Sequence, residues 1–555
     1  MNNLTLPVRS WRKIMQNQWK TEQWRTVDIP IKTTKNYTSP FEDVDVFGVF
    51  KGPQGEEIKL LAFWDGDNTW VLRFAPVSVG RWAYTIESTD TDNADFSGGG
   101  SVECVPYTGE LDMYKHGFLK VSEDKDYLEY ADGTPFFWLG DTHWTFVTEE
   151  RFDESNCPKY ESQFKACVDK RVDQKFTVYQ CNFRDGKVDG FFGRNIDLMH
   201  ETDHGFVPNI EEFHKNVDLK MAYLADAGLY IAVGYAWAFD MENNGKRALE
   251  RYKKFAKYTA ARYGAYPVAW TLAGELPGYM GDLQKNAELW NEVAKEAEKW
   301  NAYNNLQSAH LACSRPFPKI YENESWFDFA MSQAGHGDFC MDQKMYIEFK
   351  EMYKGHPVLE SEATYEGATS NEYTSRIITP EMMRRLAYLI IQNGGCGYTY
   401  GCNGVWELQW EAGVGGIGWG DMAWWDGLEL PGADQLTYFR DFYEDVNWST
   451  LKPLSDDVAV TKCFFMETDT RTKISFTGNK DLTTIVGYMS ETSMREFEIR
   501  GVTAKAYKMW FMNPGTGERT VLENLIYPEN GVISYNPGNA FANKTDKLVV
   551  LEAVR

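Results

Sequence analysis

Hydrophobic and polar positions follow three successive rhythms along this chain. Up to about residue 115, apolar and polar residues alternate in short runs between turn signals. Asp43-Val-Asp-Val-Phe-Gly-Val-Phe50, Trp70-Val-Leu-Arg-Phe-Ala-Pro76 and Arg81-Trp-Ala-Tyr-Thr-Ile86 are examples. Period-two runs this short and closely spaced predict the half-buried strands of an N-terminal β-sandwich over residues 1–115. The Ser97-Gly-Gly-Gly-Ser101 run reads as a flexible loop, since it lacks the Lys-Ser/Thr ending of a phosphate cradle.

From 116 to 452 the rhythm becomes strand, helix, strand. Short apolar runs at 136–144, 176–183, 229–237, 267–275, 306–311, 326–336, 356–366 and 395–406 predict buried parallel strands. Segments of helical period at 208–227, 247–263, 283–303 and 381–393 fall between them. The first of these helices has an acidic first turn after Asn209 and a stop at Gly228. Eight strands with intervening helices predict an α/β fold, a central (β/α)8 TIM barrel. After residue 453 period-two runs return, as in Thr484-Ile-Val-Gly-Tyr-Met489 and Lys547-Leu-Val-Val-Leu551. They predict a small C-terminal β-sandwich over 453–555.

Composition narrows the partners. A net charge of -24 argues against nucleic acid and anionic membranes, which demand a basic face. The 20 Trp, 31 Tyr and 33 Phe suit both large cores and sugar clefts, where flat rings cover the apolar faces of pyranoses. Nine cysteines without a Cys-x-x-Cys pair indicate neither a zinc knuckle nor a disulfide framework. The first residues lack the continuous apolar run of a leader, so the expected location is cytoplasmic. The expected partner is an oligosaccharide, no cofactor is implied, and self-association as a homo-oligomer is left open.

In a barrel, catalytic side chains stand at the C-terminal ends of strands. Two glutamates do so: Glu275, closing Trp270-Thr-Leu-Ala-Gly-Glu275 on the fourth strand, and Glu362, closing Pro357-Val-Leu-Glu-Ser-Glu362 on the seventh. Two carboxylates aimed into one cleft, one protonated and one ionised, are what retaining glycoside hydrolysis needs, at roughly 5–5.5 Å separation. Alternation puts Glu360 and Glu362 on one face, so burial does not choose between them. Position favours Glu362 as nucleophile, with Glu366 and Glu360 as the alternatives. The other strand ends supply candidate substrate contacts: Asp141, His143 and Trp144; Gln180, Asn182 and Arg184; Tyr235 and Trp237; His310; Gln333 and His336; Tyr365 and Glu366; Tyr400 and Trp406.

His200-Glu-Thr-Asp-His204 matches the zincin pattern, but Gly205 and Pro208 break the helix that zinc chemistry requires. The expectation is a substrate-facing loop and no metal site, with a zinc hydrolase using His200 and His204 as a lesser alternative. A carbohydrate-binding protein without catalysis is the other rival. No Gly-x-Ser-x-Gly elbow occurs.

The strand-four and strand-seven glutamates resemble those of clan A retaining glycoside hydrolases. More narrowly, four stretches are similar to the apiosidase-like (family 140-type) barrels. They are Pro135-Phe-Phe-Trp-Leu-Gly-Asp-Thr-His-Trp144, Glu362-Ala-Thr-Tyr-Glu-Gly367, Arg384-Arg-Leu-Ala-Tyr388 and Gly395-Cys-Gly-Tyr-Thr-Tyr-Gly401. The resemblance implies Glu275 as acid/base, Glu362 as nucleophile, flanking β domains, and short oligosaccharides such as pectic plant-wall fragments as substrates. It departs at Gly274, where clan A enzymes usually carry an asparagine that hydrogen-bonds the substrate. It departs also at Glu275, where parts of the apiosidase-like group carry the shorter Asp, which changes the carboxyl separation. Reaction class therefore carries over further than apiose specificity.

Overall fold

The computed structural model describes residues 18–184, 196–313, 318–335, 343–369, 377–412, 420–462, 474–490, 496–536 and 546–554. Its centre is a parallel sheet that curls into a barrel. Seven strands run in the order Val268–Trp270, Tyr230–Gly234, Val178–Asn182, Trp138–His143, Gly397–Tyr400, Val358–Glu362 and Ala330–Gln333. The gap between the last and the first is spanned by segment 306–311. It makes isolated parallel bridges from Gln307 to Trp270, Leu311 to Leu276 and His310 to Met331. The eight predicted strand positions thus close a TIM-type barrel, the fifth as bridges rather than a regular ladder. Helices Gln163–Asp173, Ala238–Tyr263, Leu283–Trp300 and Pro380–Gln392 cover the outside.

Local chemistry explains the boundaries. Asn209 caps the helical segment that follows it by accepting the N–H of Glu212. Gly228, at φ 87°, ends that segment in the left-handed conformation glycine adopts without strain. The barrel strands are buried on both faces, which is why they read as continuous apolar runs rather than alternating ones.

Two β layers precede the barrel. One has five strands in the order Gln18–Glu22, Gly99–Val105, Gly80–Ser88, Val46–Lys51 and Glu57–Leu61; the other contains Val27–Lys32, Thr69–Phe74 and Phe63–Trp64. Their inner faces share a core that includes Phe50, Trp70, Leu72, Trp82 and Val102. The glycine run expected as a loop instead enters a strand at Gly99. A Cβ there would lie 2.1 Å from the carbonyl oxygen of Tyr84 on the neighbouring strand, so close backbone approach accounts for glycine. This unit docks on helix Ala238–Tyr263, where Arg262 bonds Asp65 and Tyr258 bonds the Trp64 carbonyl.

Two antiparallel sheets follow the barrel. Strands from both, such as Glu496–Arg500 and Thr484–Met489, bury Phe497, Ile499, Ile485 and Leu551 in one core. They are fastened to helix Pro380–Gln392 by Arg384, which grips the buried Asp546 at 2.6 Å, and by Tyr388 stacked on Tyr488. Among the described residues no helix is long and apolar enough to cross a membrane.

Candidate active site

Strand Val358–Glu362 carries a β-bulge. Ser332 pairs with Glu360 and Gln333 with Glu362, so Ser361 is the extra residue. A bulge leaves backbone groups without ladder partners, and here a side chain supplies them. Glu360 Oε1 accepts the N–H of Ala334 at 2.8 Å and that of Glu362 at 3.3 Å, while Oε2 meets Ser332 Oγ at 2.6 Å. Complete burial pushes the Glu360 carboxyl up to about 8 despite these hydrogen bonds. Glu360 thus belongs to the framework, and the bulge aims the last residue of the strand, Glu362.

Glu362 is 3% exposed and surrounded by donors. Tyr365 Oη–H and Trp144 Nε1–H both donate to its Oε1, the indole at 3.3 Å. Trp144 also reaches Tyr365 Oη at 2.9 Å, so the two donors brace each other. Burial and the Glu362 charge hold the Tyr365 phenol well above its ordinary range, which keeps it a donor. His310 Nε2 stands 3.0 Å from the other oxygen, Oε2.

His310 also fixes the second glutamate. Its Nδ1 accepts the Glu275 backbone N–H at 3.2 Å. With Nδ1 accepting, the hydrogen-bond network assigns the ring proton to Nε2, the nitrogen facing Glu362. Glu275 itself is half-buried and has φ 60°, a left-handed conformation rare outside glycine and costly by about 1–3 kcal/mol. Strain of this kind is held in place by its surroundings. Gln333 Nε2 and Tyr279 Oη–H both donate to Glu275 Oε1 at 3.2 Å. Gln333 is in turn oriented by the Cys313 N–H, which its Oε1 accepts at 2.9 Å.

Aromatic rings surround this pair. Trp144, Trp237, Tyr365, Ala368 and Trp406 form an apolar cluster separate from the main core, with Phe239 against it. Trp406 stacks on Tyr365 at 5.1 Å, and Trp144 meets Trp237 edge-on at 5.3 Å. Trp237 pairs in register with Gly274, immediately before Glu275. A Cβ on Gly274 would stand 2.5 Å from the Trp237 ring, so an asparagine at that position would collide with the indole.

Of the residues expected from strand-end position, the structure gathers Glu275, Glu362, Trp144, Trp237, His310, Gln333, Tyr365 and Trp406 into one contacting cluster. Others turn elsewhere. Asp141 and His143 alternate onto the helix-facing side of their strand, in a buried chain with Arg171 and Glu150. Burial opposes protonation of His143, but the Glu150 and Asp141 charges outweigh it and lift its imidazole to about 9. Gln180 is enclosed in the barrel, donating to the Ser361 carbonyl at 2.6 Å. Asn182 binds backbone, donating to Ala236 O and accepting the Arg184 N–H. Tyr235 packs between Phe255 and Trp270. Glu366 is sealed at the start of helix Pro431–Asp445, accepting from Gly432 N–H and from Tyr400 Oη, so neither Glu366 nor Tyr400 reaches the pair.

His336 lies outside the described residues. His200 and His204 sit on an exposed β-hairpin, strands Met199–Thr202 and Gly205–Pro208, where no helix puts two imidazoles on one face. Position on strand ends did not disclose Tyr279, four residues beyond Glu275 in a Pro-Gly loop, nor Cys313, whose Sγ is 3.4 Å from Tyr279 Oη. An aromatic residue in the loop directly after the strand that Glu275 closes was the available signal.

A parallel barrel with a braced carboxylate on strand seven, a strained glutamate on strand four and an aromatic lining defines a clan A-like glycoside hydrolase. The family described as "Apiosidase-like, catalytic domain" matches residues 122–450, and the chain belongs to that family. Residues 20–89 match a domain of unknown function, DUF5060. A solved glycoside hydrolase is 21% identical over 80% of this chain and 99% of its own, with TM-score 0.63. A family 5 glycoside hydrolase from Bacteroides vulgatus ATCC 8482 is 20% identical, covering 80% and 96%, with TM-score 0.64. Another structure from that organism, 16% identical, covers 97% of this chain and 100% of its own at TM-score 0.70. At these identities the likeness is one of fold. A comparison with curated proteins finds no match.

Proposed function

We propose that this glycoside hydrolase works with retention, Glu362 as nucleophile and Glu275 as acid/base, on short oligosaccharides of the kind found in plant cell walls. The observation that carries the reading is the single imidazole of His310, which touches the Glu275 backbone and the Glu362 carboxylate at once. Glu362 accepts from Tyr365 and Trp144 and faces His310, an array suited to a carboxylate that must stay ionised. Glu275 is more open, and its neighbours at Oε1 are the neutral side chains of Gln333 and Tyr279.

In the first step a Glu362 oxygen attacks the anomeric carbon. The bond to the leaving oxygen breaks as Glu275 gives that oxygen its proton. In the second step Glu275 takes a proton from water, the water oxygen attacks the same carbon, and the ester bond to Glu362 breaks. Trp237 and Trp406 supply apolar ring surface to the sugar, with the fully buried Tyr365 stacked behind Trp406.

The test is a screen of 4-nitrophenyl glycosides and pectic oligosaccharides with wild type, Glu275→Gln and Glu362→Ala. Turnover by wild type that falls at least about a thousandfold in Glu362→Ala supports the reading. Full activity in Glu362→Ala overturns it.

A further inference from the structure

Trp237 has one polar atom, its indole N–H. That atom is buried and has no hydrogen-bond partner among the described residues, and the whole residue is 6% exposed. A donor shielded from water without an acceptor is costly, so a fold that keeps one invites an explanation. The other indole it touches, Trp144, spends its N–H on Glu362 and Tyr365. Trp237 spends its own on nothing.

Its surroundings say where an acceptor would come from. The benzo edge, Cε3 and Cζ3, lies over Gly274, leaving the pyrrole edge with Nε1 on the far side of the ring from that strand. The same ring belongs to the aromatic cluster around Glu362, and its backbone pairs with the residue before Glu275. A side chain at position 274 is excluded by that ring, so residue 274 offers the cleft no donor of its own. The two glutamates and a net charge of -24 disfavour an anionic acceptor there.

We propose that the Trp237 indole N–H is a specificity-determining donor to a ring hydroxyl of a neutral sugar seated beside Glu275. Trp237 then does two things at once, covering the sugar with its ring and selecting for one hydroxyl. This inference rests on the sugar-binding part of the function proposed above but not on the assignment of nucleophile and acid.

The test uses indole 15N–1H spectra of Glu362→Ala protein, with the Trp237 resonance identified by its absence from Glu362→Ala/Trp237→Phe. The probes are arabinose, rhamnose, galactose, glucose, apiose and galacturonate at millimolar concentration. The expected result is that a neutral sugar moves the Trp237 resonance downfield in a saturable way. Trp237→Phe should bind that sugar about tenfold more weakly with its thermal midpoint preserved. The matching monodeoxy sugar should bind the two proteins equally. A sugar that saturates the site while the Trp237 resonance stays fixed overturns the proposal. So does tight binding by Trp237→Phe, a response to galacturonate alone, or no response to any of the sugars. Turnover assays on wild type run beside this. A shifted resonance without hydrolysis would leave the donor standing and remove the catalytic roles.

Discussion

His310 holds its Nε2 3.0 Å from Glu362 Oε2, with its other ring nitrogen committed to the Glu275 backbone. The imidazole is therefore a strut between the two carboxylate-bearing strands. Replacing it removes a close polar neighbour of the Glu362 carboxylate and the acceptor that holds the strained backbone at Glu275. His310→Ala is expected to lose about ten- to a hundredfold in kcat/KM, the effect of about 1.5–3 kcal/mol. His310→Gln, whose side-chain oxygen can accept the Glu275 N–H in place of Nδ1, should recover part of it. Steady-state kinetics on the two variants provides the check, and equal losses in both would deny the strut its hydrogen-bonding role.

Glu360 supplies a pH signature. Its carboxyl is raised to about 8 in the folded protein by burial, against an ordinary value of 4.5. Between these two values the folded state holds a proton that the unfolded chain has released. The contribution of Glu360 to stability must then fall as pH rises from about 4.5 to 8, by at most about 1.4 kcal/mol per pH unit. Glu360→Gln mimics the protonated acid and cannot titrate. Thermal midpoints at pH 5, 6.5 and 8 should drop more steeply for wild type than for Glu360→Gln. Parallel curves would place the proton elsewhere.

The chain Arg171–Asp141–His143–Glu150 predicts a cost in stability. Arg171 and Asp141 are each 1% exposed, and their charges meet at 2.6 Å. Arg171→Met would strand the Asp141 carboxylate, which the guanidinium and His143 hold below its usual range against its burial. Breaking one partner of such a buried pair costs roughly 3–5 kcal/mol. The expected outcome in thermal unfolding is a clear drop in midpoint for Arg171→Met. An unchanged midpoint would show that the pair is dispensable.

Particular residues show what the sequence made legible. Apolar runs located all eight barrel positions, because strands covered on both faces need uninterrupted apolar residues. Glu275, His310, Gln333 and Glu362 followed from standing at strand ends. Strand-end position does not, however, say which face a side chain takes. Asp141 and His143 are two residues apart and share the face toward helix Gln163–Asp173, where Arg171 waits; nothing local to their strand announces that partner. Glu366 and Tyr400 went the same way, bound to each other, with Glu366 also accepting the amide N–H of Gly432. The bulge at Ser361 was equally hidden, because register is set by the neighbouring strand. Strict alternation had left Glu360 and Glu362 equivalent, and the extra residue separated them.

The most direct measurement of the central claim is azide rescue of Glu362→Ala on an activated aryl glycoside that wild type cleaves. With the nucleophile gone and Glu275 intact, azide should restore turnover and yield a glycosyl azide of anomeric configuration opposite to the substrate. Absence of rescue in Glu362→Ala, together with rescue in Glu360→Ala or Glu366→Ala, would contradict the assignment.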